Sequence, residues 1–419
     1  MENVILVGCQ LPDQTDDHFE SSLHELAALT KTAGGQVVSV LTQKRQKLDA
    51  ATYIGKGKLQ ELEALEKQLG SSTVIFNAEL SPGQQGRLNA ILDAKVLDRT
   101  QLILDIFAMR ARSREGKLQV ELAQLQYLLP RLSGLGDSLS RLGGGIGTRG
   151  PGETKLETDR RYIRNRMKDI STQLESVVSH RQRYRDRRTD RNQCQIALVG
   201  YTNAGKSTLF NQLTLAHTYE EDQLFATLDP LTRKLRLSEG FTCLLSDTVG
   251  FIQDLPTQLV AAFRSTLEEA AGARLIIHVI DVSDPDLLSH EQTVRKLMAE
   301  LGADQIPVLT LYNKKDLLKT AFIAPKDAFL VAARDASDRV HILSAIREAL
   351  IRQMKPYRCL IPAASGSLLN DVSGYSILRE QKYIEERQAY EVAGFVYPET
   401  PLGSWLLKTS NTEDGKNQS

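Results

Sequence analysis

The sequence predicts an α/β protein with several domains, and three observations support this. Its 419 residues are enough for two to four domains with their own cores. Short β-branched runs alternate with amphipathic stretches in residues 1–101 and again in 193–354, which is typical of strand–helix–strand units. Between them, apolar residues recur at alternating spacings of three and four, which indicates long helices. No window approaches the roughly 18 apolar residues of a membrane-spanning helix.

Residues 1–101 are predicted to form a small α/β domain with a parallel sheet. The predicted strands are Val4–Val7, Val37–Leu41 and Thr73–Phe76, and the predicted helices are His18–Ala33, Lys56–Leu69 and Gly83–Asp93. The run Tyr53–Gly57 (Y-I-G-K-G) lies where a loop enters a helix. We interpret it as a turn in the first place, with a phosphate-binding loop as the alternative.

Residues 102–192 are predicted to form an antiparallel helical hairpin. Two series of apolar residues, one from Leu118 to Leu132 and one from Ile163 to Tyr184, follow the narrow stripe of a coiled coil. Pro130 should kink or end the first helix. Residues 134–152 contain too many glycines for a packed core, so we expect a mobile tip there.

The hairpin carries the positive charge of an otherwise neutral chain. The formal net charge is zero, yet residues 110–192 hold 19 Lys and Arg against 10 Asp and Glu. Six arginines fall within residues 181–191, more than a helix C-terminus needs. We therefore favour contact with a polyanion over a merely solvated helix end. The candidate residues are Arg183, Arg185, Arg187 and Arg188.

Residues 355–408 are predicted to form a small α+β domain after the second α/β unit. We expect a strand at Arg358–Ile361, a helix at Leu378–Ala389 and a strand at Val392–Tyr397. The polar tail 409–419 is predicted to be disordered.

A phosphate-binding loop follows the predicted strand Ile196–Val199. The pattern G-x-x-x-x-G-K-S lets backbone amides converge on phosphates at a helix N-terminus, while the lysine reaches the β- and γ-phosphates. The residues are Gly200, Tyr201, Thr202, Asn203, Ala204, Gly205, Lys206 and Ser207. The predicted fold of 193–354 is therefore a P-loop domain with a doubly wound sheet.

Three later motifs indicate GTP as the nucleotide. D-T-V-G follows a strand and places a carboxylate and an amide near Mg²⁺ and the γ-phosphate. N-K-K-D can distinguish guanine, since its last carboxylate accepts from guanine N1–H and N2–H₂, which adenine lacks. A third loop would meet the guanine carbonyl through a backbone N–H. The residues are Asp247, Thr248, Val249 and Gly250; Asn313, Lys314, Lys315 and Asp316; and Val331, Ala332 and Ala333.

The segment between the P-loop and Asp247 is predicted to contain a nucleotide-dependent switch. It comprises Phe225, Ala226, Thr227, Leu228 and Asp229, and Thr227 is the candidate Mg²⁺ ligand beside Ser207 and Asp247, with Thr232 as the fallback. The expected catalytic residues are Lys206, Thr227, Gly250 and Asn203.

Phe251 occupies the position at which signalling GTPases carry a glutamine that orients the attacking water. Because phenylalanine cannot do this, we expect slow intrinsic hydrolysis until a partner completes the site. Asn203 could help place a K⁺ ion, although simple loop hydrogen bonding is favoured.

These motifs in this order resemble the HflX family of ribosome-associated GTPases. The switch F-A-T-L-D-P, the run D-T-V-G-F-I and the stretch Gly143–Arg161 carry the resemblance, which covers roughly residues 1–354. It implies a GTPase that binds the large ribosomal subunit and its RNA and separates stalled or idle ribosomes under stress. It places the glycine-rich tip near the peptidyl transferase centre, with Gly143, Gly144, Gly145 and Arg149 as contacts.

The resemblance further implies ATP as a second ligand, bound by the N-terminal domain. Ala332 departs from the family, which usually has serine there. We expect a monomer in the cytoplasm, with a membrane-associated fraction left open. Two alternative functions also stay open: a ribosome-assembly GTPase and a membrane-associated signalling switch.

Overall fold

The computed structural model describes residues 2–140, 151–190, 193–215, 224–225, 229–238, 240–253, 270–318 and 320–414. The chain divides into two compact units. Unit 1 consists of Met1–Ser179, Glu221–Asp229 and Ile252–Ser265, and unit 2 consists of His180–Glu220, Pro230–Phe251 and Thr266–Ser419. Within the described ranges, no helix combines the length and the apolar character needed to cross a membrane.

Unit 1 begins with a four-stranded parallel sheet in the order β2-β1-β3-β4. Its strands are β1 (Glu2–Gln10), β2 (Gly35–Lys44), β3 (Thr73–Phe76) and β4 (Lys95–Asp98). The helices are α1 (Asp16–Thr32), α2 (Lys56–Leu69), α3 (Pro82–Ile91) and α4 (Arg99–Arg110). The predicted parallel α/β domain is confirmed; β4 and α4 complete it.

Local signals explain where these helices begin and end. The Thr15 hydroxyl accepts from the backbone of α1, and Ser81 forms a capping box with Gln84 at the start of α3. Gly70, with φ of 57°, ends α2 in the left-handed conformation. Asp98 caps α4 through the Gln101 amide at 2.8 Å and also accepts from the Leu80 amide at 2.9 Å.

The predicted helical hairpin is confirmed by α5 (Arg114–Ser140) and α6 (Pro151–Asp190). Glu121 of α5 accepts two hydrogen bonds from Arg166 of α6, at 2.7 and 2.9 Å. Arg114, which precedes Glu121 by about two helical turns, donates to Gln173, which follows Arg166 in α6. The partners thus run in opposite directions, as an antiparallel pair requires.

One expectation about the hairpin needs correction, and others lie outside the described residues. Pro130 does not end α5, which continues to Ser140, so of the two expected effects of this proline only a kink stays a prediction. The predicted tip residues Gly143, Gly144, Gly145 and Arg149 lie outside the described residues. Arg183, Arg185, Arg187 and Arg188 belong to α6, but their side chains lie outside the description as well.

Unit 2 contains a six-stranded sheet in the order β10-β9-β8-β5-β7-β6. Its elements are β5 (Cys194–Gly200), α7 (Lys206–Thr214), β6 (Leu231–Arg236), β7 (Thr242–Asp247), β8 (Leu275–Asp281), α8 (Leu287–Glu300), β9 (Val308–Asn313), β10 (Ala328–Leu330) and α9 (Asp338–Ile351). Only β6 runs antiparallel to its neighbour among these strands. The strand order reverses at β5, which is where doubly wound sheets bind ligands.

The C-terminal part of unit 2 is an antiparallel sheet in the order β11-β13-β12. Its elements are β11 (Lys355–Pro362), α10 (Gly366–Tyr375), β12 (Ile377–Ile384), β13 (Ala389–Val396) and α11 (Pro401–Asp414). The predicted helix at Leu378–Ala389 is wrong, because residues up to Ile384 pair with β13, Glu385–Arg387 forms a 3-10 turn and Ala389 begins β13 itself. Tertiary pairing overrides the helix-forming composition. The expectation of a disordered tail is corrected for residues 409–414, which continue α11.

Candidate nucleotide-binding site

The loop Gly200–Ser207 joins β5 to α7 at the carboxyl edge of the unit 2 sheet. Gly205, with φ of 91°, adopts the left-handed conformation, and a Cβ there would lie 2.2 Å from Asn313 Nδ2. Both facts require glycine at this position. The loop therefore opens directly into a helix N-terminus, where backbone amides attract anions.

Lys206 is buried at the first position of α7. Its ammonium group donates a hydrogen bond of 2.7 Å to the Tyr201 carbonyl within the same loop. Burial lowers the pKa of Lys206 to about 8; Asp247 opposes this shift, and Lys314 adds to it. A polyphosphate brought to this loop would stabilise the charged lysine and raise its pKa.

Ser207 and Asp247 bring two oxygen ligands together. The Ser207 hydroxyl donates to Asp247 Oδ2 at 2.8 Å, and Asp247 is fully buried at the end of β7. Hydroxyl and carboxylate oxygens suit Mg²⁺, which prefers hard oxygen ligands and few protein groups. The residues present therefore fit a magnesium ion. Thr248, next in the chain, is also fully buried and its hydroxyl donates 2.6 Å to Leu198 O, which ties β7 to β5.

The D-T-V-G loop is joined to the P-loop by backbone hydrogen bonds around Phe251. The Phe251 amide donates to Gly200 O at 3.2 Å, and the Thr202 amide donates to Phe251 O at 2.7 Å. A Cβ on Gly250 would lie 2.9 Å from Thr202 Cα, so glycine permits this close approach. The Phe251 side chain is buried, and its backbone thus links the two phosphate-side loops.

Asn313 connects the phosphate-side loops to the base-side loops. It is buried at the end of β9; its Nδ2 donates to Ala204 O at 2.8 Å, and its Oδ1 accepts from the Ala333 amide at 2.8 Å. The N-K-K-D and Val331–Ala333 loops are thereby held beside the P-loop. Asp316 lies in the short 3-10 turn Lys315–Leu317 with its side chain exposed.

Two carboxylates that sequence reasoning missed hold the base-side loops. Asp338, buried at the start of α9, accepts from the Ala332 amide at 2.7 Å and pairs with Lys315 Nζ at 2.6 Å. Asp281, at the end of β8, pairs with Lys314 Nζ at 2.6 Å. Neither belongs to a recognisable motif. The only available signal was position, because Asp281 directly follows the strand-like run Ile276–Ile280 and Asp338 precedes the helical stretch Ile342–Ile351.

A buried histidine lies on the strand next to the P-loop strand, where His278 pairs with Val199. His278, in the middle of β8, is buried, and burial lowers its pKa to about 4, with Arg295 and Lys206 contributing in the same direction. This histidine is therefore neutral at physiological pH. Beside it, the Tyr201 ring stacks on His290 with centroids 3.6 Å apart, and His290 Nδ1 lies 3.3 Å from Asp284 Oδ2. Stacking on His290 therefore fixes the side chain of Tyr201, the second residue of the P-loop.

The structure does not bring every predicted site residue into this cluster. Phe225 and Asp229 belong to unit 1, and Ala226, Thr227 and Leu228 lie outside the described residues. Thr232, the fallback ligand, lies in β6, where its hydroxyl is within 2.9 Å of Ser246 Oγ. Asn203 is exposed in the P-loop with φ of 60°.

Three family models match consecutive parts of the chain. A "GTP-binding GTPase N-terminal" model matches residues 20–108, a "GTP-binding GTPase Middle Region" model matches 110–188, and a "50S ribosome-binding GTPase" model matches 195–314. Together they cover most of the N-terminal sheet domain and the hairpin, and in unit 2 the P-loop, the D-T-V-G loop and Asn313.

Known proteins match nearly the whole chain. GTPase HflX of Alkalihalophilus pseudofirmus is 56% identical over 97% of this chain and 96% of its own. GTPase HflX of Escherichia coli K12 is 46% identical over 73% of this chain and 72% of its own. Among solved structures, a GTP-binding protein of Sulfolobus solfataricus in complex with GDP is 24% identical, with a TM-score of 0.45, over 84% of this chain and 99% of that one.

We expect the affinity for GDP to fall as the pH rises through the pKa of Lys206. Below about pH 8 the free protein carries the charged lysine, whereas above it binding must take up a proton, which costs up to about tenfold in affinity per pH unit. Titration calorimetry with GDP between about pH 7 and about pH 9 measures this. Lys206→Met should remove the slope, whereas Lys296→Met, an exposed change on α8, should keep it. A flat profile for the unmodified chain would refute the assignment.

Asp316→Asn should change which base the site accepts. The amide can no longer accept from both guanine N–H groups, so GDP should bind about 10- to 100-fold more weakly, and xanthosine diphosphate should bind better than before. Competition against a fluorescent guanine nucleotide measures both affinities. The matched control is Asp304→Asn, an exposed aspartate in unit 2. Unchanged GDP affinity in Asp316→Asn would exclude this carboxylate as the base-reading group.

Proposed function

Since the chain belongs to the GTPase HflX family, we propose that this GTP hydrolase binds the large ribosomal subunit and separates stalled or idle ribosomes under stress. One observation carries the proposal. The chain that holds the guanine-nucleotide loops also holds an antiparallel helical pair whose residues 110–192 carry 19 Lys and Arg against 10 Asp and Glu. Such a basic helical pair suits a partner rich in phosphates.

In this proposal, the loops at the edge of the unit 2 sheet divide the recognition of GTP. The amides of Gly200–Ser207 and the Lys206 ammonium bind the phosphates, and Asp316 accepts from the guanine edge. Ser207 and Asp247, which are hydrogen-bonded to each other, would hold Mg²⁺, with Thr227 as the proposed third ligand. When bound, Mg²⁺ neutralises charge on the β- and γ-phosphates. The Gly250 amide detects the γ-phosphate, so GTP and GDP give different switch states.

Hydrolysis by the free chain is slow in this proposal and is stimulated by the ribosome. The Phe251 side chain has no polar group that could orient the attacking water, and it is buried. A group that completes the site must therefore come from elsewhere. Asn203, exposed in the P-loop, offers a side-chain oxygen to a K⁺ ion as one such aid. The ribosome is the partner that we propose brings the site to full activity.

The hairpin is the part of the chain that we propose binds the ribosome. The arginines near the end of α6 neutralise ribosomal RNA phosphates, and the glycine-rich segment between α5 and α6 reaches into the subunit. GTP favours the ribosome-bound state, and hydrolysis releases the protein. We propose that the chain acts as a monomer in the cytoplasm, and that the N-terminal sheet of unit 1 also takes ATP.

We expect purified large subunits to raise the GTP hydrolysis rate at least about tenfold and GTP to convert intact ribosomes into subunits during sedimentation. Both effects should weaken steeply as salt rises, because phosphate contacts release counterions. Neither stimulation nor splitting would overturn the proposal. Stimulation only by precursor subunits would favour an assembly GTPase, and stimulation by vesicles without RNA would favour the membrane signalling switch.

A variant with four hairpin arginines replaced by alanine should bind large subunits with a flatter salt slope. The changed residues are Arg183, Arg185, Arg187 and Arg188. The matched control removes four exposed cations of the C-terminal part, Arg352, Arg379, Lys382 and Arg387, and so alters the net charge equally. If both variants keep the unmodified slope, the hairpin arginines do not contact the RNA.

A further inference from the structure

The carboxylate of Asp229, at the end of the predicted switch, lies at the start of α5 within unit 1. Its Oδ2 accepts from the Arg112 amide at 2.9 Å and from the Ser113 amide at 2.7 Å. The Ser113 hydroxyl donates to Oδ1. A negative charge at a helix N-terminus is stabilised by the helix dipole, and bonds to an ionised acceptor are stronger than neutral ones. This switch aspartate is therefore bonded to the base of the hairpin.

Gly116 makes room for this carboxylate. It lies in the first turn of α5, where its amide donates 2.8 Å to Ser113 Oγ. A Cβ at Gly116 would lie 2.5 Å from Asp229 Oδ1 and 3.1 Å from Ser113 Oγ. Glycine is among the weakest helix formers, and its backbone here is not left-handed, so no turn requires it. The close approach of Asp229 is the constraint that the structure shows.

Phe225 forms a second anchor four residues earlier. Its ring is 2% exposed and packs edge-on against Phe107 of α4, with ring centroids 4.5 Å apart. Phe225 has φ of 55°, a left-handed conformation that a bulky residue adopts only when its surroundings hold it there. The switch segment thus contacts α4 through Phe225 at one end and the start of α5 through Asp229 at the other end.

A third contact holds the segment that follows the D-T-V-G motif. Gln253, three residues after Gly250, accepts from Arg99 Nη2 through its backbone carbonyl at 3.3 Å. Arg99 opens α4, is 3% exposed, and also donates to Asn77 Oδ1 at 3.1 Å and pairs with Glu25. Within unit 1, Phe225 and Gln253 therefore both contact α4, and Asp229 contacts the start of α5.

We infer that Asp229 is a positioning residue for GTP hydrolysis, acting through the switch that it anchors to α5, and that Gly116 serves to admit it. The two described ends of the switch, Phe225 and Asp229, are therefore held by contacts with α4 and with the start of α5. This inference concerns hydrolysis by the chain itself and is independent of ribosome binding.

Gly116→Ala tests the inference without changing any nucleotide-binding motif. Alanine improves helix propensity, so α5 should form at least as well, while the added methyl group displaces the Asp229 carboxylate. We expect the single-turnover rate of GTP hydrolysis to fall about tenfold, with the dissociation constant for GDP within about twofold of the unmodified value. A purely structural contact would not separate the rate from the affinity in this way.

The matched control is Gly86→Ala, the same change on α3 at a position with no heavy atom within 4 Å of the added Cβ. It should leave both the rate and the affinity unchanged. Asp229→Ala, which opens space instead of filling it, should give the same loss of rate as Gly116→Ala, and Asp229→Asn should recover part of it by accepting from the two amides. If either Gly116→Ala or Asp229→Ala hydrolyses GTP at the unmodified rate or faster, the inference is overturned.

Discussion

One buried amide side chain, that of Asn313, connects the two halves of the nucleotide site. It donates to the P-loop carbonyl of Ala204 and accepts from the amide of Ala333, each at 2.8 Å. Neither backbone group could reach water if the amide were lost, and unpaired buried polar groups cost about 1–3 kcal/mol each. The relative position of the P-loop and the Val331–Ala333 loop is consequently set by one residue at the end of β9.

The remaining contacts of the site extend this connection. Asp338 accepts a hydrogen bond from the Ala332 amide and so holds the Val331–Ala333 loop. The backbone of Phe251 joins the P-loop to the D-T-V-G loop. The four loops follow β5, β7, β9 and β10, which belong to one sheet. The loops are therefore connected to one another by backbone hydrogen bonds at Phe251 and by the side chains of Asn313 and Asp338. The switch segment differs, since its described anchors lie on α4 and α5 of unit 1.

The sequence predicted best what short-range chemistry determines. The limits of α2 were predicted as observed, because Gly55 and Gly70 bound it on both sides. The P-loop followed from a spacing that only one backbone geometry satisfies. The stretch Ile377–Ile384 was missed as a strand, since its pairing with β13 is a long-range contact that local propensity does not contain. The ion pair of Asp338 with Lys315 and the contact of Gly116 with Asp229 were missed for the same reason, since each joins residues that are distant in the chain.

Asn313→Ala measures the central claim most directly. If this amide holds both halves of the site, its removal should weaken GDP binding about 100-fold in titration calorimetry, equivalent to roughly 2.7 kcal/mol. The preference for GDP over ADP should fall as well, because the base-reading loops lose their fixed position. The control is Asn89→Ala, an exposed asparagine on α3, which should leave GDP affinity unchanged. An affinity of Asn313→Ala within about threefold of the unmodified chain would contradict the account.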